Sequence, residues 1–189
     1  MTHARALLWL TFPLLLVACP SQNTATLTGL KTYDVGPQGV HKAGLITYDP
    51  AKYGFPPSGG PHNPVWQNTG VYDKPIANEY AVHALEHGAV WIVYRENLPS
   101  SELTKLKDYV KNNNYTLLSP YPRKISGLDA PALATPIVVS AWGVQKGYSS
   151  ADPEIKTFIE KYASGSDSKA PEKGGQYSGG TDSPDSRTE

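Results

Sequence analysis

The sequence predicts an α+β domain in which a small mixed β-sheet packs against helices. Between residues 76 and 163, short apolar runs rich in β-branched residues alternate with longer runs that carry an apolar face at helical spacing. A strand–helix–strand unit at residues 89–119 has short connections, which is typical of a parallel crossover. The predicted order of elements is α-β-α-β-β-α, and a long ordered loop precedes it.

The first predicted helix covers residues 76–87 and ends before Gly88, a residue type that commonly follows a helix in the left-handed conformation. Residues 89–94 predict a buried strand, because the run is short, apolar and β-branched. The other predicted elements are a helix from Ser100 or Ser101 to about Lys111, strands at 115–119 and 136–142, and a helix capped by Asp152 with Pro153 at its first position.

The loop before the first helix, residues 50–75, is dense in proline, glycine, asparagine and aromatic residues. A long segment without regular structure inside a compact domain is commonly either functional or disordered. Its prolines and aromatic side chains favour an ordered, rigid loop.

Composition excludes several classes of protein. The 189 residues include 17 Lys and Arg and 17 Asp and Glu, so the formal net charge is zero. A neutral chain is not expected to bind nucleic acid or to adhere to a membrane through a polybasic surface. The single cysteine excludes a disulfide within the chain and zinc folds built on CxxC pairs.

That cysteine lies at the end of an N-terminal targeting segment. Arg5 is followed by an apolar run too short to span a bilayer, and Leu16-Val17-Ala18-Cys19 resembles a bacterial lipoprotein cleavage box. We therefore expect residues 1–18 to be a signal peptide and Cys19 to carry the lipid. The protein would then be anchored to a membrane of the cell envelope, outside the cytoplasm. The alternative is a plain secretory signal with an incidental cysteine.

Composition also sets the expected domain boundaries. Residues 19–45 are polar and predict a lipidated tether, and residues 46–163 predict the folded domain. Residues 164–189 contain almost no large apolar side chain, which predicts a disordered polar tail because too little surface can be buried to offset the ordering entropy.

The predicted first helix presents a polar face made of Glu79, His83, Glu86 and His87, which fall within an arc of about 100° at helical periodicity. His83 and His87 are four residues apart and can chelate one metal ion. The alternative interpretation is a polar helix face without a ligand.

A third ligand is expected from the rigid loop. His62 lies between prolines, which fix the backbone and reduce the entropy lost on binding, although it could instead hydrogen-bond the loop backbone. His41, in the tether, is a weaker candidate for a fourth ligand. Imidazole donors without sulfur suit copper, with zinc as the alternative. By contrast, we expect Trp66, Tyr72 and Trp91 to pack in the core.

A hydrolytic alternative comes from the same helix. His83-Ala84-Leu85-Glu86-His87 matches H-x-x-E-H, the inverted zinc-protease motif, in which the glutamate is the general base. Five residues are a weak pattern, and Gly88 ends the helix immediately after it.

The combination of motifs resembles a bacterial family known as domain of unknown function 3105. The resemblance rests on Pro56-Pro57-Ser58-Gly59-Gly60-Pro61-His62, Trp66, Gly70-Val71-Tyr72, Pro75, Glu79 and Val82-His83-Ala84-Leu85-Glu86-His87-Gly88. The chain departs from the family pattern by one extra glycine before Pro61. Some members have been suggested to be copper-only superoxide dismutases. The resemblance implies that activity here, with His62, His83 and His87 as ligands and with Glu79 and Glu86 orienting the imidazoles.

The function expected from the sequence is therefore that of an envelope lipoprotein with a mononuclear copper site that dismutes superoxide. Glu86, Tyr72 or a water molecule would serve as the proton source. A second possibility is a copper- or zinc-binding protein without turnover. A third is a structural component of a homo-oligomer or cell-surface assembly, and the zinc hydrolase is a fourth.

Overall fold

A computed structural model describes residues 26–36, 38–125, 127–175 and 179–188 of the chain. The predicted signal peptide and Cys19 lie outside these residues. The strands are β1 (Lys31–Thr32), β2 (Gly70–Val71), β3 (Val90–Arg95), β4 (Thr116–Tyr121), β5 (Lys124–Ile125), β6 (Leu128–Asp129), β7 (Ile137–Ala141) and β8 (Val144–Tyr148). The helices are α1 (Pro50–Tyr53), α2 (Asn78–Glu86), α3 (Ser100–Val110) and α4 (Glu154–Tyr162). The predicted α+β class is confirmed.

The main sheet is mixed and has six strands in the order β1-β8-β7-β3-β4-β2. Strand β3 pairs in parallel with β4 and antiparallel with β7, so the unit β3-α3-β4 is the predicted parallel crossover. Strand β8 was not predicted, because its sequence VQKGY is largely polar; it forms by pairing antiparallel with β7 across a turn at Gly143. The φ of Gly143 is 67°, in the left-handed region, which glycine adopts more readily than other residues do.

Alternate residues of the sheet face two different cores. Ile92, Leu118 and Val139 belong to a core shared with helices α3 and α4. Trp91 and Val138 belong to a second core, shared with α2 and with the loop that precedes it. The strict alternation follows from the two-residue period of a strand. Helix α2 and its histidines therefore lie on one face of the sheet, and α3 and α4 lie on the other.

Helix α2 ends as its sequence predicts. Gly88 has a φ of 97°, and the amides of Gly88 and Ala89 donate to the carbonyls of Leu85 and Ala84, both at 3.0 Å. These two bonds form a Schellman motif, which satisfies the last carbonyls of the helix. The turn fixes the point at which the chain leaves α2 for β3.

The other predicted caps differ in detail from the structure. Helix α3 includes both serines and is preceded by Pro99, which has no side chain able to cap. Asp152 lies two residues before the start of α4, where its Oδ1 accepts a hydrogen bond of 2.8 Å from the Glu154 amide. Asp152 thus still satisfies a free amide at that end of the helix.

The loop before α2 contains the short elements α1 and β2. It is tied to the sheet by hydrogen bonds from the Gly143 amide to the Ser58 carbonyl, 2.8 Å, and from Gln145 Nε2 to the Pro56 carbonyl, 2.8 Å. Among the described helices, none has the length and apolar character needed to cross a bilayer.

Residues 164–175 and 179–188, within the segment for which composition predicts disorder, are described lying against the domain. The Glu172 amide donates to the Glu86 carbonyl at 3.1 Å, and the Thr181 amide donates to the Trp66 carbonyl at 2.9 Å. Both contacts are polar, in keeping with a segment that has little apolar surface to bury.

Candidate metal centre

Four side chains from three parts of the chain converge beside α2. His41, His62, His83 and Glu86 each place one potential ligand atom within 4.8 Å of the others. His83 and Glu86 are one turn apart on α2, His62 comes from the proline-rich loop, and His41 comes from the segment before α1. We call these four residues the histidine–glutamate cluster.

The segment carrying His41 is held against the loop by backbone pairing. His41 and His62 form a parallel bridge, in which the Lys42 amide donates to the His62 carbonyl at 2.7 Å and the His62 amide donates to the Val40 carbonyl at 3.1 Å. The close approach of this segment to His62 requires a glycine at position 39, two residues before His41. A Cβ on Gly39 would lie 2.0 Å from Cε1 of His62. This pairing brings His41 into the cluster.

His62 is fully buried, and a contact with the loop backbone orients its ring. Its Nδ1 lies 2.9 Å from the Gly60 carbonyl oxygen. A carbonyl only accepts hydrogen bonds, so Nδ1 carries the proton and Nε2 presents its lone pair in the neutral ring. The sequence allowed two roles for His62, a metal ligand or a hydrogen bond to the loop backbone. The two roles are compatible, because metal-binding histidines commonly donate a hydrogen bond to a carbonyl from their other ring nitrogen.

The contact between His62 and Glu86 requires a positive charge that the two groups share. His62 Nε2 lies 2.9 Å from Glu86 Oε2, yet among the described residues this nitrogen has no hydrogen-bond partner with suitable geometry. A buried lone pair facing a buried carboxylate is unfavourable unless a positive charge, a proton or a metal ion, is shared by the two.

His83 is oriented in the same way as His62. Its Nδ1 lies 2.7 Å from the Asn63 carbonyl oxygen, which leaves Nε2 as the lone-pair nitrogen. Burial, reinforced by the neighbouring His62, lowers the pKa of His83 to about 4. The ring is therefore neutral at pH 7, which is the form that binds a metal.

Glu86 supplies the negative charge of the cluster. Burial of its side chain opposes ionisation, but a proton shared with His62 Nε2 and the hydrogen bond from the Gly39 amide favour the charged form and hold its pKa below the usual range. The Gly39 amide donates to Oε1 at 2.6 Å. Glu86 thus joins the segment carrying His41 to the helix carrying His83.

The structure places His87 beside the cluster, and the four converging residues do not include it. Its ring stacks on that of His83, with centroids 4.8 Å apart, and its Nε2 lies 3.8 Å from Oε2 of Glu172. His87 is the C-cap of α2, and a Cβ on Gly175 would lie 2.1 Å from its Nδ1. The tail therefore packs directly on this ring.

The other residues singled out from the sequence lie elsewhere. The carboxylate of Glu79 binds Arg187 and the Ile46 amide, at 2.9–3.0 Å, so its described contacts do not include an imidazole. Tyr72 donates its hydroxyl hydrogen to the Asn68 carbonyl, and burial raises its pKa. A higher pKa makes this phenol a weaker proton donor.

Aromatic rings surround the cluster. Trp66 packs edge-on against His83, with centroids 5.5 Å apart, and Trp142 packs edge-on against His62 at 6.2 Å. Trp91 lies in the core, as expected, with its Nε1 donating to Ser119 Oγ at 3.0 Å. The rings of Trp66 and Trp142 place apolar surface against two of the histidines, which lowers the local dielectric.

The donor set fits a transition-metal ion. Three imidazoles and one carboxylate provide nitrogen and oxygen ligands that suit zinc, copper, iron or nickel, whereas calcium and magnesium prefer oxygen alone. His62, His83 and Glu86 are buried and His41 is exposed. The cluster is therefore a group that could hold a metal ion and that reaches solvent on the His41 side.

The three grooves described on the surface lie away from the histidines. Three grooves on the described surface have volumes of about 630, 430 and 270 Å³, and no histidine lines any of them.

Fold and site together define an α+β protein with a three-histidine, one-glutamate group able to hold a metal ion. A family model described as "protein of unknown function (DUF3105)" matches residues 41–179, and the chain belongs to this family. The match confirms the resemblance seen in the sequence and includes all four residues of the cluster. No curated protein and no solved structure matches the chain.

The sequence predicts His41 only as a weaker fourth ligand, although the structure places it among the four converging residues. The tail residues Glu172 and Arg187 are not predicted from the sequence. Gly39, two residues before His41, was the available signal, since a glycine beside a histidine allows close backbone approach. The tail residues offered no such signal, because their partners are distant in sequence.

Proposed function

We propose that this chain is an envelope lipoprotein that holds one copper ion in the histidine–glutamate cluster and dismutes superoxide. The observation that supports it best is the approach of His62 Nε2 to Glu86 Oε2, 2.9 Å without hydrogen-bond geometry, in a group completed by His41 and His83. A metal ion bound by both groups would relieve this contact, as a shared proton would. The suggested activity of family members extends the proposal from binding to dismutation.

Copper bound by imidazoles would supply one-electron chemistry, in which two superoxide ions and two protons give dioxygen and hydrogen peroxide. The chain's own residues prepare the site. The carbonyls of Gly60 and Asn63 fix the tautomers of His62 and His83, so both Nε2 atoms face the cluster before a metal arrives. Such preorganisation reduces the entropy lost on binding.

Access and proton supply are expected on the His41 side. His41 is the exposed member of the cluster, so a small anion can approach there without displacing the buried rings. Of the two side chains predicted as proton carriers, Tyr72 donates to the Asn68 carbonyl, and Glu86 is buried in contact with His62 and the Gly39 amide.

The proposal is tested with protein purified without added metal. Elemental analysis and a Cu(II) EPR spectrum with nitrogen couplings would identify the metal and its donors. The copper-loaded protein should dismute superoxide, and His62→Ala and His83→Ala should abolish the activity. Glu160→Gln, an exposed substitution on α4, is the matched control and should leave it unchanged. Activity equal to wild type in both histidine variants would rule out this site.

A second candidate, metal binding without turnover, is favoured by the number of donors. Four protein ligands complete a tetrahedral set, as in structural zinc sites, whereas catalytic sites keep one position open. Zinc found in the purified protein, with full occupancy and no dismutase activity after copper exchange, would establish this candidate. The zinc hydrolase has less support, because its motif needs His87 as a ligand and Glu86 as a general base, whereas the group of converging ligand atoms includes Glu86 and not His87.

The lipoprotein part of the proposal rests on the N-terminal sequence. Cys19→Ser should release the protein from the membrane fraction and abolish labelling by a radioactive fatty acid. A protein that stays in the membrane fraction after this change would contradict lipidation at Cys19.

A further inference from the structure

We propose that residues 179–188 form a clamp that positions the ligands of the metal centre. This inference rests on the proposed function only in that the histidine–glutamate cluster binds a metal. The clamp contributes no ligand itself. It stabilises the segment that carries His41 and the loop that orients His83. Arg187 is its main positioning residue.

The first attachment of the clamp is to the loop that orients His83. The Thr181 amide donates to the Trp66 carbonyl at 2.9 Å, and the Asn68 amide donates to the Thr181 carbonyl at 2.9 Å. The Gly180 amide also donates to Asn68 Oδ1 at 3.0 Å. These bonds extend the loop by a short parallel bridge between Gln67 and Thr181.

Trp66 and its neighbour Asn63 connect this attachment to the cluster. Trp66 packs against His83, and the Asn63 carbonyl accepts from His83 Nδ1. Gly180 lies so close to Trp66 that a Cβ there would be 2.4 Å from the Trp66 carbonyl oxygen. Movement of residues 179–182 would therefore release the ring and the loop that hold His83 in place.

The second attachment is an ion pair with Glu79. Arg187 donates from Nη1 to Oε1 at 3.0 Å and from Nη2 to Oε2 at 2.9 Å, and Asp185 accepts from the same guanidinium. Glu79 is almost fully buried, so loss of Arg187 would leave a carboxylate without its charge partner. Bidentate pairing of this kind fixes orientation as well as charge.

Glu79 connects Arg187 to the segment that carries His41 and to the loop that orients His83. Its Oε1 accepts from the Ile46 amide at 3.0 Å, in the segment that carries His41. Its backbone carbonyl accepts from the Asn63 amide at 3.1 Å, and Asn63 in turn orients His83. One guanidinium thus stabilises the carboxylate at which the two segments meet.

The test compares Arg187→Gln, Glu79→Gln and the double variant in the full chain. Arg123→Gln is the matched control, because Arg123 is also paired with a glutamate, Glu96, but is highly exposed and lies outside the clamp. Copper or zinc is loaded in turn, and its release to a strong chelator is timed. Limited proteolysis reports whether the tail detaches, and the EPR spectrum reports whether the ligands change.

Arg187→Gln should speed metal release by up to about tenfold, the lower end of the range for groups that contact a metal ligand directly, because Arg187 acts through Glu79. Its EPR donor pattern should match wild type, and the tail should be cleaved faster. The double variant should be no worse than either single variant, because both remove the same ion pair. Arg123→Gln should behave as wild type.

Release rates and tail cleavage in Arg187→Gln equal to those of the control would overturn the clamp. Metal binding without dismutase activity would instead overturn the proposed function and leave the clamp standing if release is still faster. A wild-type chain that binds neither copper nor zinc would overturn both.

Discussion

Glu86 joins two ligand-bearing segments through one buried carboxylate. It contacts His62 Nε2 and accepts from the Gly39 amide, and its charge favours a cation in the cluster. A neutral amide of the same shape keeps the packing and removes the charge.

Glu86→Gln should therefore weaken metal binding at least about tenfold while the fold is retained. Competition titration against a chelator of known affinity measures the effect, and circular dichroism checks the fold. Glu160→Gln serves as the control. Affinity equal to wild type would mean that Glu86 is not a ligand.

His41 and His87 make the second comparison at the residue scale. His41 is one of the four converging residues, whereas His87 stacks on His83 beside the tail. His41→Ala should therefore weaken metal binding more than His87→Ala, by at least about tenfold if a ligand is lost. The same titration decides, and a larger loss for His87→Ala would reverse the assignment and restore the ligand set expected from the sequence.

At the scale of the element, the end of α2 fixes where the histidine-bearing helix stops. Gly88 has a φ of 97°, and an added Cβ would meet Ser164 Oγ at 3.0 Å. Gly88→Ala should lower the free energy of unfolding by about 1–2 kcal/mol, because an L side chain is strained in the left-handed region. Urea denaturation measures the change.

Gly127→Ala separates strain from crowding at such a position. Gly127 has a φ of 77° and no heavy atom within 4 Å of an added Cβ. Its substitution should cost less than that of Gly88. An equal loss would show that strain alone accounts for the effect, and no loss at Gly88 would contradict the role of the turn.

At the scale of the whole molecule, the sheet separates the site from the helices that stabilise its other face. Phe158, on α4, is fully buried in the core shared with α3, whereas Leu85, on α2, is fully buried in the core beside the cluster. Stability and metal binding should therefore be affected separately by mutations in the two cores.

Phe158→Ala should cost about 3–5 kcal/mol of unfolding free energy, the usual range for such a cavity, and leave the metal affinity of the folded protein unchanged. Leu85→Ala should cost about 2–5 kcal/mol and also weaken metal binding. Denaturation and metal titration on both variants test the separation. Equal effects of the two variants on metal affinity would contradict it.

Periodicity predicted the elements whose apolar faces are continuous. Helices α2, α3 and α4 and strands β3, β4 and β7 were all expected, because each buries a face that its own sequence defines. Strand β8 and the two-residue strands were not, since they are defined by pairing with a neighbour rather than by their own apolar pattern.

The sequence by itself determined the α+β class, the end of α2 at Gly88 and the histidine-bearing helix face with its companion in the proline-rich loop, because these depend on local spacing and on backbone preferences. Only the tertiary structure decided that His41 joins His62 through a backbone bridge, that Glu86 faces His62, and that Arg187 pairs with Glu79. Each of these contacts joins residues far apart in the chain, and their approach depends on how the loop, the helix and the tail pack together.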